Sequence, residues 1–130
     1  MWKVKLLRFT QFLSHWLFWP GVVLITWGEL TPNPPDLGGI FVWDKMEHFT
    51  AYFGLASMAT LMMGLKPWLA WAFLGIILFG GALEILQGYT GRDPDILDFT
   101  ANSIGAFAGL GVGALFLWLL DPLVGARSAD

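Results

Sequence analysis

Cysteine is absent from the 130 residues. Its absence excludes a disulfide framework, a thiol nucleophile and a zinc–thiolate centre. Charge is scarce as well: 13% of residues are charged, and seven Lys and Arg against ten Asp and Glu leave a net charge of -3. With no basic patch, nucleic acid is not an expected partner. The alternating segments of about ten residues that a membrane β-barrel requires are missing, since residues 115–120 read Leu-Phe-Leu-Trp-Leu-Leu. The polar face that each helix of a soluble bundle presents is missing too. What remains is a set of helices in lipid, with carboxylates, histidine, arginine and amides available for chemistry.

The composition agrees, at 56% hydrophobic residues and a mean hydropathy of +0.63. Residues 99–120 carry no charge and as a helix would reach roughly 33 Å, enough to cross a hydrocarbon layer of about 30 Å. Residues 49–65 and 67–83 are also uncharged, and 9–28 is interrupted only by Gln11, Ser14 and His15. The expectation is a single all-α membrane domain over residues 1–130, a short antiparallel bundle with spans at about 9–28, 47–65, 67–87 and 95–120. Lys3, Lys5 and Arg8 precede an apolar run as in a signal peptide, but no small-residue cleavage site follows, so this run reads as an uncleaved first span. Lys3, Lys5, Arg8, Lys66 and Arg127 then share one side, which the positive-inside rule makes cytoplasmic. Both termini are expected inside. Trp27 and Trp43 mark the outer boundary, and Trp68, Trp71 and Trp118 the inner one.

Most acidic residues fall on the outer side. The segment Thr31-Pro-Asn-Pro-Pro-Asp36 is held extended by its prolines. Asp93-Pro94 reads as an N-cap followed by proline at the first helical position. Polar residues gather in two groups, Asp44-Lys45-x-x-His48-x-x-x-Tyr52 and Glu84-x-x-Gln87 with Arg92-x-x-Asp95-x-x-Asp98-x-x-x-Asn102. Steps of three and four place each set on one face of its helix. Ionisable residues in lipid turn inward and read first as functional, so the groups are expected to meet in one outward-opening pocket. His48-Phe-Thr-Ala-Tyr52 and Asp98-Phe-Thr-Ala-Asn102 echo each other at equivalent helix starts, which would set His48 opposite Asp98. Ala101, Gly105, Gly109 and Gly113 form a small-residue series that admits another helix and would serve a homo-oligomer.

These polar residues, in this order and spacing, resemble the signature of the VanZ-like membrane proteins, from Asp44 to Gly109, about half of the chain. The family's founding member is linked to low-level teicoplanin resistance. The resemblance implies a multi-span envelope protein and supplies no substrate or cofactor.

Each polar residue also has a structural reading. Asp44, Asp93 and Asp95 suit helix N-termini, and capping is preferred for Asp93. Lys45 can snorkel, and Tyr52 can anchor at the interface. Asn102 can bridge helices, His15 reads as structural, and Glu29, Asp36 and Glu47 read as solvated. Glu84 closes an uncharged run, where a central charge costs about 2.5 to 3.5 kcal/mol, and needs a partner in Arg92, Lys45 or His48. Three functions follow. In the first, Lys45, His48 and Arg92 recognise an anionic lipid or lipid-linked cell-wall precursor, with Glu84, Asp95 and Asp98 orienting them. In the second, His48, Glu84, Asp95 and Asp98 hold a divalent metal for chemistry on a headgroup. In the third, the cluster is an ion-pair network that fixes helix register.

Overall fold

Glycine, proline and aspartate set where the helices end. The structure, a computed structural model, describes residues 1–33 and 44–120. They form α1 (Trp2–Leu30), α2 (Asp44–Met63), α3 (Leu69–Gln87) and α4 (Ile96–Leu120), with no strand among the described residues. The all-α expectation holds. Most of the proline-rich loop with Asp36, and likewise Trp43 and Arg127, lie outside the described residues. The helix α2 stops where Gly64 takes φ +71°, a left-handed conformation that costs glycine nothing. The Gly64 N–H donates to the Thr60 carbonyl at 2.9 Å, a glycine C-cap. Pro67 then stands in the turn ahead of α3.

At the start of α4 the expected cap moves by two residues. Asp95, not Asp93, is the capping residue: its Oδ1 accepts the Leu97 N–H at 2.8 Å, and its carbonyl accepts the N–H groups of Asp98 and Phe99 at 2.9 and 3.2 Å. The side chain thus satisfies an N–H that has no partner within the helix. Pro94 lies outside α4, and Asp93 is exposed.

The helix α2 is the centre of the bundle and packs most extensively on α4. Its buried face carries Tyr52, Leu55, Ala56 and Ala59, which form the core with Ile76 and Ala106. The pairing of α2 with α4 is close because three glycines permit it. A Cβ on Gly105 would run into the backbone of Phe49, and one on Gly109 into that of Phe53; at Gly113 it would sit 2.8 Å from Thr60 Cβ. Contacts advance in the same direction along both helices, from Lys45 with Asp95 to Thr60 with Gly113, so the two run parallel. The glycine face that was expected to join copies is filled by α2 of the same chain.

Polar and apolar residues are distributed inside out. Ser14, Glu29, His48, Thr60, Glu84, Gln87, Asp98 and Asn102 are buried, whereas Trp16, Trp19, Trp27, Trp71, Phe107 and Trp118 are exposed. Two helices, α3 and α4, are long and apolar enough to cross a membrane. Lys3 Nζ donates to the Leu119 carbonyl at 3.3 Å, placing a cation at the C-terminal end of α4 where the helix dipole favours it.

Candidate functional site

The site forms where the ends of α1 and α3 meet the beginnings of α2 and α4. Periodicity on α2 turns Lys45, His48 and Tyr52 toward its neighbours, and periodicity on α4 does the same for Asp98 and Asn102. The parallel α2–α4 pairing then sets the rows side by side. Lys45 Nζ donates to Asp95 Oδ2 at 2.8 Å and also to Asp98 Oδ1. His48 Nδ1 lies 3.0 Å from Asn102 Oδ1, while its Nε2 faces Asp98 Oδ2 at 3.7 Å. His48 and Asp98 therefore do face each other. With the amide oxygen as the acceptor, the proton in this contact belongs to the Nδ1–H tautomer.

Two carboxylates converge on the imidazole from α1 and α3, with Tyr52 of α2 beside them. Glu29 Oε1 is 3.7 Å and Glu84 Oε1 3.9 Å from His48 Nδ1. Glu84 finds its nearest partner in the Asp95 backbone N–H, which donates to Oε2 at 3.2 Å; its Oε1 has no hydrogen bond. Tyr52 is fully buried and not an interfacial anchor, and its hydroxyl stands beside the Glu29 carboxylate. Its ring fits because Gly80 has no side chain: a Cβ there would lie 2.9 Å from Tyr52 Cε1. Gln87 is also interior, and its carbonyl accepts the Arg92 N–H at 3.2 Å, which folds the α3–α4 loop back on α3.

Glu29, Arg92 and Lys45 take partners that the sequence reading did not give them. Glu29 is 7% exposed rather than solvated. The sequence held a signal for it: like Glu84, it closes a long uncharged run at the outer end of a helix. Arg92 was expected to face a ligand, but its Nη1 donates to the carbonyls of Gly28 and Glu29 at 3.2 and 3.0 Å. The guanidinium takes carbonyls that the last turn of α1 leaves unpaired. Lys45 does not snorkel, being committed to two carboxylates. Asp44 and Glu47 are exposed at the rim.

Beside this cluster a groove of about 470 Å³ runs between α1 and α2. Gly21, Leu24, Ile25, Gly54, Leu55 and Met58 line its apolar length, and Glu29, Asp44, Glu47, His48 and Arg92 its polar end. From His48 to Met58 the wall rises about 15 Å, the depth of one leaflet of a hydrocarbon layer about 30 Å thick.

The link between Lys45 and Asp95 lies ahead of the apolar stretches. The Lys45 ammonium beside it holds the Asp95 carboxyl below its ordinary range, aided by the Leu97 N–H. Asp95 and Asp98 in turn hold Lys45 above its ordinary value. A depressed carboxyl contributes stability above its unfolded pKa of about 3.9, lost as pH falls through the folded value. A raised ammonium contributes below about 10.4 and loses the contribution as pH rises through its folded value. Thermal unfolding of Lys45→Met in detergent should therefore trail wild type across about pH 4 to 10. The gap should narrow below pH 4; a gap of constant size from pH 7 to pH 3 would contradict the link.

Two carboxylate–histidine groups have ligand atoms within 4.8 Å of one another, Glu29–His48–Glu84 and Asp44–His48–Asp98. The metal set expected from sequence is thus divided, since Asp95 and Asp98 are engaged by Lys45. No protein-family model, curated protein or solved structure matches this chain.

Proposed function

We propose that the chain is a VanZ-like protein of the bacterial inner membrane, with four spanning helices and both termini in the cytoplasm. On this reading it binds a lipid or lipid-linked envelope precursor in the groove between α1 and α2. The groove is the observation that carries the proposal: its apolar length matches one leaflet, and its charged residues and His48 stand at one end. An acyl chain would lie against Leu24, Ile25, Leu55 and Met58. The headgroup would meet His48 and Arg92, whose Nε and Nη2 donors are left over after Nη1 has bound the α1 carbonyls. Were the ligand a cell-wall precursor, altered glycopeptide susceptibility would follow.

A substitution at Gly54 tests the reading directly. A Cβ there meets nothing within 4 Å, so Gly54→Leu should fill the groove without disturbing the helix. Native mass spectrometry of detergent-purified protein is expected to show co-purifying lipid on wild type and at least about a tenfold loss on Gly54→Leu. Equal lipid on the two folded proteins would overturn the proposal. A purely architectural role has its own support in Lys45, which ties α2 to α4 through Asp95 and Asp98; it predicts that Gly54→Leu changes nothing.

A further inference from the structure

The carboxylates of Glu29 and Glu84 are buried, and the donors beside them, the Tyr52 hydroxyl at Glu29 and the Asp95 N–H on Glu84 Oε2, carry no charge. Lys45 is occupied by Asp95 and Asp98, and the Arg92 Nη1 by backbone carbonyls. Burying carboxylates without a paired charge is costly. An ion with two positive charges would balance the two glutamates.

We infer that Glu29, His48 and Glu84 hold one divalent transition cation, through the imidazole Nδ1 and an oxygen from each glutamate. The spacing suits the chemistry. Two ligands each about 2.1 Å from a tetrahedral ion stand roughly 3.4 Å apart, and Nδ1 lies 3.7 and 3.9 Å from the two carboxylates. All three ligand atoms lie within 4.8 Å of one another, so the side chains need only draw inward to complete the site. A nitrogen with two carboxylates, and no thiolate, suits Zn²⁺ or Mn²⁺ better than Mg²⁺ or Ca²⁺, which favour oxygen alone.

Groups around the cluster support a ligand there independently. Tyr52 is wholly buried, and its hydroxyl stands beside the Glu29 carboxylate, where it can orient that ligand. On metal binding the imidazole proton moves from Nδ1 to Nε2, which faces Asp98 Oδ2, itself anchored by Lys45. That is the carboxylate–histidine–metal arrangement common around bound ions. The Asn102 oxygen, released from Nδ1, stands close enough to add a fourth donor. Access comes from the groove, which Glu29 and His48 both line. The alternative group with Asp44 and Asp98 lacks these features, since Asp44 is exposed and Asp98 already accepts from Lys45.

The test uses full-length protein carrying no histidine tag, stripped with chelator and then given Zn²⁺ or Mn²⁺ alone. One ion per chain is expected after desalting, with excess Mg²⁺ unable to displace it. Glu29→Gln and Glu84→Gln should each weaken binding at least about tenfold, while Asp93→Asn, at an exposed position, should bind like wild type. Failure of the folded wild type to retain either ion would overturn the inference, as would binding that both glutamine variants leave unchanged. Should the variants not fold, imidazole ¹⁵N spectra of the wild type decide, with His15→Gln assigning the signals. Zn²⁺ is expected to shift Nδ1 of His48 as a ligand; a shift at Nε2 alone, or none, would refute the site. Lipid retention is not needed for any of these outcomes, so the two proposals fail separately.

Discussion

Gly105→Ala is expected to eliminate most folded protein, although it adds a single methyl group. The added Cβ would meet the Phe49 backbone, and at Gly109 the equivalent atom would meet that of Phe53. Backbone cannot rotate away as a side-chain tip can, so the helices would have to separate along their whole contact. Separation would also pull Lys45 from Asp95 and His48 from Asn102. Overpacking of a core costs about 1 to 3 kcal/mol where side chains give way; here the upper end or more is expected. Gly111→Ala supplies the control, because a Cβ at Gly111 meets nothing within 4 Å. That change should be neutral or gain up to about 1 kcal/mol of helix propensity. Gel filtration and thermal unfolding in detergent would compare them. Similar behaviour of the two variants would remove the close approach of α2 and α4 as the basis of the fold.

Loss of the imidazole should be nearly as severe. His48→Leu fits the space but removes the Asn102 hydrogen bond and the nitrogens that face Glu29, Glu84 and Asp98. Removing one member of a buried polar cluster strands the others, at about 3 to 5 kcal/mol. Part of that loss should return when Glu29→Gln and Glu84→Gln are added, because the stranded charges disappear with them. Such recovery is the mark of coupled neighbours and is measured by comparing single and combined variants. Strict additivity of the three changes would mean that His48 does not act with the glutamates. It would also weaken the case for a metal among them.

The two experiments probe different kinds of information. That α4 is helical is legible in the run of residues 96–120, and the inward rows His48–Tyr52 and Asp98–Asn102–Gly105 are legible in their spacing of three and four. These are local properties, fixed by 3.6 residues per turn. The cap of α4 was less legible, because Asp93 and Asp95 both suit an N-terminus. Asp95 takes the position because its carboxylate reaches Leu97 and Lys45 together while Glu84 holds its N–H.

Glu29 and Arg92 mark the limit more sharply. Nothing in the local pattern around Glu29 distinguishes a solvated helix end from a buried one, and only its resemblance in placement to Glu84 hinted at the second. Arg92 read either as a cation for a ligand or as a partner for Glu84. The end of α1, more than sixty residues away in sequence, offers carbonyls that claim its Nη1. By itself the sequence determined the helical class, the apolar character of the segments and the inward rows of polar residues, since composition and periodicity act within a few turns. Only the tertiary structure decided which charge meets which. Glu29 joined His48, Lys45 took Asp95 and Asp98, and the glycine face closed on α2. Electrostatic partners of this kind depend on distances between helices remote in sequence, which no single helix encodes.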